Sequence, residues 1–217
     1  MTAPKALILD YGGVLTGNLG EALAAWLAAD DIDPADFGAL MREWLAAGPG
    51  ANPIHGLELG SLPNADFEAR LAGRLFTRSG APVAADGLLA RMFASFGEEP
   101  DMYALLLRAR QAGVRTALLS NSWGNDYPRD QFAALFDVAV ISGEVRLRKP
   151  DPEIYLLTAR HLGVEPAECV FVDDLPPNVA GAADVGMIGI VHVDAATTIA
   201  EVEAIFGWEP VNTAATG

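Results

Sequence analysis

Residues 6–13 read ALILDYGG, an apolar run of four residues that ends in Asp10 and is followed by the glycine pair Gly12 and Gly13. A short apolar run bounded by glycines predicts a buried strand with its carboxyl end at Asp10. In an open α/β sheet, ligands bind outside the carboxyl ends of the strands. The segment therefore predicts either a nucleophilic carboxylate at a sheet edge or a plain strand end followed by a glycine turn.

Polar side chains follow two further apolar runs, and a lysine stands between those runs along the chain. The runs are residues 116–119 and 169–172, and Pro150 marks a predicted helix start directly after the lysine. The polar residues are Ser120, Asn121, Lys149, Asp173 and Asp174. Because the carboxyl ends of parallel strands meet at one edge of a sheet, we expect Ser120, Asn121 and the acidic pair to lie beside Asp10. This strand pattern does not place Lys149. Each residue alone also has a plainer interpretation, as a turn, a solvated surface lysine or a helix cap.

The order of these residues resembles the four motifs of the haloacid dehalogenase (HAD) superfamily. The most specific part is VFVDDLPPNVAGA, residues 170–182, and the resemblance runs from the first strand to nearly the last. It implies an α/β fold with a Rossmann-like parallel sheet in the order 5-4-1-2-3. Strands that alternate with helices favour the same parallel sheet, covered on both faces.

The resemblance also implies a role for each motif residue. Asp10 attacks phosphorus and forms an aspartyl-phosphate that water cleaves, and Lys149 neutralises both nucleophile and phosphate. The implied partner is a small phosphorylated metabolite. The residues implied to bind it are Tyr11, Gly12, Ser120, Asn121 and Lys149. The implied cofactor is Mg²⁺, which prefers hard oxygen ligands. Its implied ligands are Asp10, the main-chain carbonyl of Gly12, Asp174 and, through water, Asp173.

Position 12 departs from the pattern of most phosphatases in this superfamily. They carry a second aspartate there, which protonates the leaving oxygen and later activates water, whereas this chain has Gly12. General acid–base catalysis contributes about 10²–10⁴ in rate, so we expect reduced or specialised activity. A leaving group of low pKa, such as an anomeric oxygen, a phenol or an acyl group, needs little protonation. Water and His55 are the candidate proton donors.

Gly12 also leaves two other functions open. A 2-haloacid dehalogenase needs no acid at that position, because halide leaves without a proton and Asp10 attacks carbon. Such an enzyme needs no metal either, so the acidic pair Asp173 and Asp174 favours the phosphatase. The other alternative is a phosphate-binding protein with little turnover. The presence of Asp10, Lys149 and Asp174 argues against it.

Composition bounds the class of protein. The 217 residues are 51% apolar, enough for one sizeable core and an inserted unit. The formal net charge of −15 repels nucleic acid and anionic membranes, so we expect neither as a partner. The single cysteine, Cys169, is consistent with a reducing compartment. We recognise no signal segment and no apolar stretch long enough to span a membrane. The predicted location is therefore cytoplasmic. The oligomeric state stays open.

We predict that residues 17–96 form an all-helical cap inserted after the first strand. This segment has a helical pattern of apolar residues and is rich in alanine and leucine. The predicted cap helices are 20–29, 34–47, 64–76 and 86–96. The predicted core is 1–16 plus 97–211, with a flexible tail at 212–217. The stretch 54–60, with Asp66 and Phe67, is similar to the cap of the epoxide-hydrolase-like phosphatase branch of the superfamily.

Four cap residues are candidates for the surface over the site: Trp26, Met41, Trp44 and His55. Packing between helices is the favoured interpretation of the tryptophans and Met41, and a surface loop is the favoured position of His55. In the core we predict strands at 115–119, 138–141, 170–173 and 188–193. The predicted core helices are 103–112, 152–162 and 178–183.

Overall fold

A parallel sheet of five strands forms the centre of the molecule. The structure is a computed structural model, and it describes residues 3–48, 50–124 and 127–210. The strands are β1 (Ala6–Leu9), β2 (Arg115–Ser120), β3 (Val138–Ile141), β4 (Cys169–Asp173) and β5 (Ile188–Val191). Their order is β3-β2-β1-β4-β5. The predicted α/β fold and strand order, with the first strand in the centre, are therefore confirmed.

The central strand places Asp10 between its two neighbours. In the register of the sheet, Leu9 lies opposite Leu118 of β2 and Val172 of β4. The main-chain amide of Asp10 donates to the carbonyl of Val172 at 2.9 Å, which continues the sheet hydrogen bonding by one residue. Asp10 therefore lies at the edge where both neighbouring strands end.

The helices that follow β1 form a hydrophobic cluster of their own. They are α1 (Leu19–Ala29), α2 (Pro34–Ala46), α3 (Pro53–Glu58), α4 (Asn64–Ala72) and α5 (Leu88–Phe93). Trp26 packs edge-to-face on Phe37, and Trp44 packs in the same way on Phe67. Both tryptophans are buried, and Met41 lies at the margin of the cluster. The favoured interpretation of these residues as helix packing is therefore confirmed.

The two connections between the cap helices and the sheet run side by side. Thr16 forms an antiparallel bridge with Glu98, and the Gly17 amide donates to the carbonyl of Gly97 at 3.0 Å. The chain therefore leaves the sheet and returns to it at adjacent positions.

The remaining helices cover the two faces of the sheet. They are α6 (Pro100–Gln111), α7 (Arg129–Leu135), α8 (Ser142–Val145), α9 (Pro152–Leu162), α10 (Pro176–Asp184) and α11 (Ala195–Phe206). Leu7 and Leu9 of β1 pack with α6, α7 and α11, whereas Ala6 and Ile8 pack with α9 and α10. Successive residues of a strand point to opposite faces, so an apolar run is what a strand buried on both sides requires.

Several helices differ from their sequence predictions. The helix predicted at 86–96 spans only Leu88–Phe93, and α3, α7 and α8 were not predicted. The helix predicted at 64–76 ends at Ala72, because Phe76 and Thr77 instead form bridges with Pro82 and Ile32. Helix α11 was not predicted, although its amino end carries a capping aspartate and a glycine with φ of 68° follows its last residue.

Two other expectations concern the membrane and the tail. Among the residues that the structure describes, no helix combines the length and apolar character needed to cross a bilayer. The flexible tail predicted at 212–217 lies outside the described residues.

Candidate active site

Asp10 and Lys149 meet at the carboxyl edge of the sheet. The Lys149 ammonium lies 2.8 Å from Asp10 Oδ1 and 2.6 Å from Asp173 Oδ2. It also donates to the main-chain carbonyl of Leu119 at 2.9 Å. Lys149 has no exposed surface, and a buried ammonium requires such partners because desolvation of a lone charge is costly. The interpretation of Lys149 as a solvated surface lysine is therefore wrong.

The backbone of Lys149 is braced by a neighbouring loop. Asn121 Oδ1 accepts from the Lys149 amide at 2.8 Å, and Asn121 Nδ2 donates to the Lys149 carbonyl at 3.1 Å. Helix α10 packs closely on the other side, since a Cβ on Gly181 would lie 2.8 Å from Pro150 Cβ. The side chain of Asn121 thus holds the lysine segment in place.

Asp173 anchors the lysine within a chain of hydrogen bonds. Its Oδ1 accepts from the Leu175 amide and from Asn178 Nδ2, each at 2.9 Å. The Tyr155 hydroxyl in turn donates to the carbonyl of Asn178 at 2.7 Å. Our reasoning from the sequence assigned no role to Asn178 or Tyr155. The position of Asn178 shortly after the acidic pair was a usable signal, whereas nothing in its local sequence marks Tyr155.

Asp174 approaches the loop that follows β1. A Cβ on Gly13 would lie 2.5 Å from Asp174 Oδ2, and Gly13 has a φ of +74° in the left-handed region. Both observations require glycine at position 13. Asp10, Asp173 and Asp174 offer carboxylate oxygens that all lie within 4.8 Å of one another. The structure therefore brings together the three acids predicted as metal ligands.

Burial and mutual repulsion shift the pKa values of two of the acids in the site. Burial raises the pKa of Asp10 to about 8, with a contribution from Asp173, although Lys149 opposes the shift. Burial and the charge of Asp173 raise the pKa of Asp174 to about 6. Burial alone would lower the pKa of Lys149, but Asp10 and Asp173 outweigh it and hold that pKa above its ordinary value. Lys149 stays charged, and the raised pKa values of Asp10 and Asp174 mean that a cation would compete with protons for these two carboxylates.

Ser120 and Tyr11 lie on the other side of Asp10, against an aromatic cluster. Ser120 Oγ is 2.9 Å from Tyr127 Oη, and the rings of Tyr127 and Tyr11 pack edge-to-face with centroids 5.1 Å apart. The Tyr11 amide donates to Asp10 Oδ1 at 2.7 Å, so it is the backbone of Tyr11 that touches the carboxylate. Our sequence reasoning missed Tyr127, because a single tyrosine in a loop carries no motif.

His55 lies in α3 rather than in a surface loop, and it is half-buried. Burial lowers the pKa of His55, and the nearby charge of Arg148 lowers it further. Its ring is therefore neutral at physiological pH.

The family of the chain follows from a comparison with known proteins. Residues 4–186 match the model of a family described as haloacid dehalogenase-like hydrolase. The chain belongs to this family. The match covers more than half of the chain and includes Asp10, the buried Lys149 and the acidic pair.

Solved structures of HAD enzymes share the fold. One is a HAD family enzyme from Bacteroides thetaiotaomicron in complex with magnesium and inorganic phosphate. It is 20% identical, with a TM-score of 0.65 over 88% of this chain and 95% of that chain. Another is a dehalogenase with an intermediate complex, 19% identical, with a TM-score of 0.66 over 96% and 100% of the two chains. At these identities the likeness shows the fold alone.

Curated relatives of this HAD hydrolase include phosphatases. The phosphoglycolate phosphatase of Rhodospirillum rubrum is 30% identical over 202 residues, which cover 85% of this chain and 77% of the relative. In three other relatives the matched segment covers only 18 to 19% of the relative's length, and two of these proteins are much longer than this chain. The chain is thus a HAD-like hydrolase with phosphatase homologues.

Position 12 leaves open space two residues after Asp10. A Cβ on Gly12 would meet no atom within 4 Å, and its φ lies outside the left-handed region. The backbone therefore does not require glycine at this position, in contrast to Gly13.

Proposed function

We propose that this HAD hydrolase cleaves phosphomonoesters or activated phosphates of small metabolites, with Mg²⁺, through an aspartyl-phosphate on Asp10. The observation that carries the proposal is the Lys149 ammonium buried between Asp10 and Asp173, with Asp174 beside them. When all are ionised, three carboxylates and one ammonium carry a net charge of −2. That charge suits a divalent cation, and the phosphatase homologue supports the reaction class.

The residues present fit a magnesium ion. Asp10, Asp174 and the carbonyl of Gly12 would hold it, and Asp173, whose carboxylate already accepts from Lys149, would act through water. Carboxylate, carbonyl and water oxygens are the ligands that Mg²⁺ prefers. When bound, the cation supplies Lewis-acid stabilisation of charge on the phosphate oxygens.

Asp10 is the proposed nucleophile. One carboxylate oxygen forms a bond to phosphorus while the bond from phosphorus to the ester oxygen breaks. The leaving oxygen departs as an anion or takes a proton from water, since Gly12 offers none. Water then attacks phosphorus in the aspartyl-phosphate, which releases inorganic phosphate and restores the carboxylate of Asp10. The hydrogen bond from the Tyr11 amide orients that carboxylate.

Three neighbours are proposed to bind the transferred phosphate. Lys149 stabilises the negative charge that moves from Asp10 to the phosphate oxygens. The Ser120 hydroxyl and the main-chain amide of Asn121 donate to the same oxygens. The hydroxyl of Tyr127 forms a hydrogen bond with the hydroxyl of Ser120 and orients it.

We also propose that the cap, residues 17–96, closes over this edge of the core, residues 1–16 and 97–211. The paired connections at Thr16 and Glu98 support a cap that moves as a unit. A closed cap excludes bulk water from the phosphoenzyme, and its inner surface selects the substrate.

The proposal is tested by the hydrolysis of p-nitrophenyl phosphate and acetyl phosphate by the purified protein. We expect turnover with Mg²⁺, its loss on addition of EDTA and its return with excess Mg²⁺. Release of chloride from 2-chloropropionate without metal would instead identify a dehalogenase. Phosphate binding without turnover would identify a binding protein.

Asp10→Asn tests the covalent route directly. The amide keeps the size of the side chain but is a poor nucleophile, so we expect kcat to fall by at least about 10³-fold. Circular dichroism should show an unchanged fold, and turnover by the variant at the wild-type rate would exclude the aspartyl-phosphate.

A further inference from the structure

A buried carboxylate of the cap binds two residues of the core. Glu58, the last residue of α3, is 6% exposed. Its Oε2 lies 2.6 Å from Arg148 Nε, and its Oε1 accepts from Trp123 Nε1 at 3.2 Å. Both partners belong to the core side of the molecule, so this one side chain spans the junction between cap and core.

The two partners flank the site. Arg148 directly precedes Lys149, and Trp123 follows Asn121 by two residues. Asn121 and Lys149 are themselves joined by the two hydrogen bonds between the Asn121 side chain and the Lys149 backbone. Glu58 therefore contacts both segments that carry the proposed phosphate-binding groups.

The main chain at the end of α3 is fastened to the core as well. The carbonyl of Glu58 accepts from Ser142 Oγ at 2.6 Å, and the same hydroxyl accepts from the Ser122 amide at 2.8 Å. Two residues on, a Cβ on Gly60 would lie 2.6 Å from the carbonyl of Gly143. The main chain after α3 therefore packs directly on the main chain at Gly143. This contact fixes the position of Glu58 independently of its side chain.

Burial makes the contacts of Glu58 energetically important. A buried ion pair is costly to desolvate and is maintained only where geometry and further hydrogen bonds compensate, so removal of one partner leaves an uncompensated charge. The pair between Arg74 and Glu43, also in the cap, has both side chains about half exposed. Such an exposed pair contributes little. It therefore offers a matched control within the same unit.

We propose that Glu58 is a positioning residue that couples the docked cap to the placement of Lys149 and the Asn121 loop. The proposal rests on the phosphatase function proposed above for those two groups. Loss of the Glu58 carboxylate removes the ion pair that holds Arg148. The backbone of the next residue, Lys149, then shifts relative to Asp10. Misplacement of a reacting or stabilising group by about 1 Å is enough to reduce a rate by about 10²-fold.

The test compares three variants with the wild type. Glu58→Gln keeps the size of the side chain and an acceptor for Trp123 but removes the charge opposite Arg148. Arg148→Lys keeps the positive charge but removes the guanidinium geometry. It tests the same ion pair if Glu58→Gln folds poorly. Glu43→Gln is the control for loss of an exposed cap ion pair. The measurements are kcat and KM on p-nitrophenyl phosphate, and hydrogen exchange of peptides that cover 121–124 and 146–150.

We expect Glu58→Gln and Arg148→Lys to lower kcat by about 10- to 100-fold. KM should change by less than about threefold, because a small displacement of these groups weakens stabilisation of the transition state more than binding of the ground state. Exchange should accelerate in both peptides of these two variants, and Glu43→Gln should resemble the wild type in every measurement.

Two results would overturn the positioning role. One is a kcat of Glu58→Gln within twofold of the wild type, and the other is a loss of rate with unchanged exchange in both peptides. If the wild type cleaves no phosphate, the function proposed above fails instead. The exchange comparison then decides the coupling by itself, and unchanged exchange would reject it.

Discussion

At the scale of single residues, burial leaves protons on the acids that a cation would have to displace. The pKa of Asp10 is raised by burial to about 8 and that of Asp174 to about 6. Both values exceed the ordinary aspartate value of 3.8, so the metal-free carboxyls hold protons in a pH range where free aspartate holds none. The pH dependence of cation binding therefore reports on these two residues.

Mg²⁺ affinity should weaken as pH falls below about 8. Each proton that the cation displaces from a carboxyl adds about a tenfold loss per pH unit below the pKa of that group. Asp10 contributes from pH 8 downwards and Asp174 from pH 6 downwards. Titration calorimetry in two buffers of different ionisation enthalpy measures both affinity and proton release. An affinity that is flat between pH 6 and 8.5 would contradict the shifts.

Gly12→Asp should raise activity towards poor leaving groups. A Cβ at this position meets no atom within 4 Å, so the first atom of the new side chain causes no clash. If the missing acid is the only defect, kcat on an alkyl phosphate should rise, up to the limit of about 10²–10⁴ for general acid–base catalysis. The gain should be much smaller on p-nitrophenyl phosphate, whose leaving group needs no proton. No gain on either substrate would mean that the surroundings of position 12 serve another purpose.

At the scale of elements, the loop after β1 is shaped by its contact with the loop after β4. The Gly13 amide donates to Thr16 Oγ1 at 2.9 Å, and Gly13 stands against the carboxylate of Asp174. Two strand ends that are neighbours in the sheet thus bring a glycine turn and an acid together.

Gly13→Ala should destabilise the protein and weaken cation binding. The left-handed φ costs an alanine about 1–3 kcal/mol, and the close Cβ would push Asp174 away from Asp10. Gly12→Ala is the matched control for stability. It should change the free energy of unfolding by less than about 1 kcal/mol, because its φ is ordinary and no atom is near. Chemical denaturation measures both variants, and equal effects would show that the contact with Asp174 is unimportant.

Local patterns predicted most elements of the core. The bounds of β1, β3 and α9 agree with the sequence predictions, because each lies between strong turn or capping signals. The cap helix after Pro63 was predicted too long, since its end depends on bridges to Ile32 and Pro82, which are distant contacts. A helix whose end is set by tertiary pairing leaves no local signal at that end.

At the scale of the whole molecule, a strongly negative protein is proposed to bind a negative substrate. The formal net charge is −15, and the site itself holds more carboxylates than basic groups. Long-range repulsion should therefore slow the approach of a phosphate dianion, and local groups should capture it only near the sheet edge.

Salt should raise kcat/KM for an anionic phosphate. The Debye length falls from about 30 Å at 0.01 M to about 8 Å at 0.15 M ionic strength, which screens the repulsion. We expect an increase of about two- to tenfold over this range at saturating Mg²⁺. Choline chloride and sodium chloride should act alike, which separates screening from specific ion effects. A kcat/KM that falls with salt would show that local positive charge dominates the approach.

The sequence by itself determined the alternation of strands and helices and the sheet edge at which Asp10, Ser120 and Asp173 emerge. Apolar runs, turn glycines and helix caps are local patterns, and each acts within a few residues of the chain. The order of the polar strand ends then placed the acids at one edge, since parallel strands share a direction, and the resemblance to the HAD motifs added Lys149.

Only the tertiary structure decided which side chains hold that arrangement. Tyr155 contacts Asn178 across two helices, and Glu58 reaches Arg148 over a sequence separation of 90 residues. Burial and hydrogen-bond geometry depend on how whole elements pack, and such packing has no period in the sequence. The support around Lys149, as opposed to its position along the chain, is therefore a property of the fold.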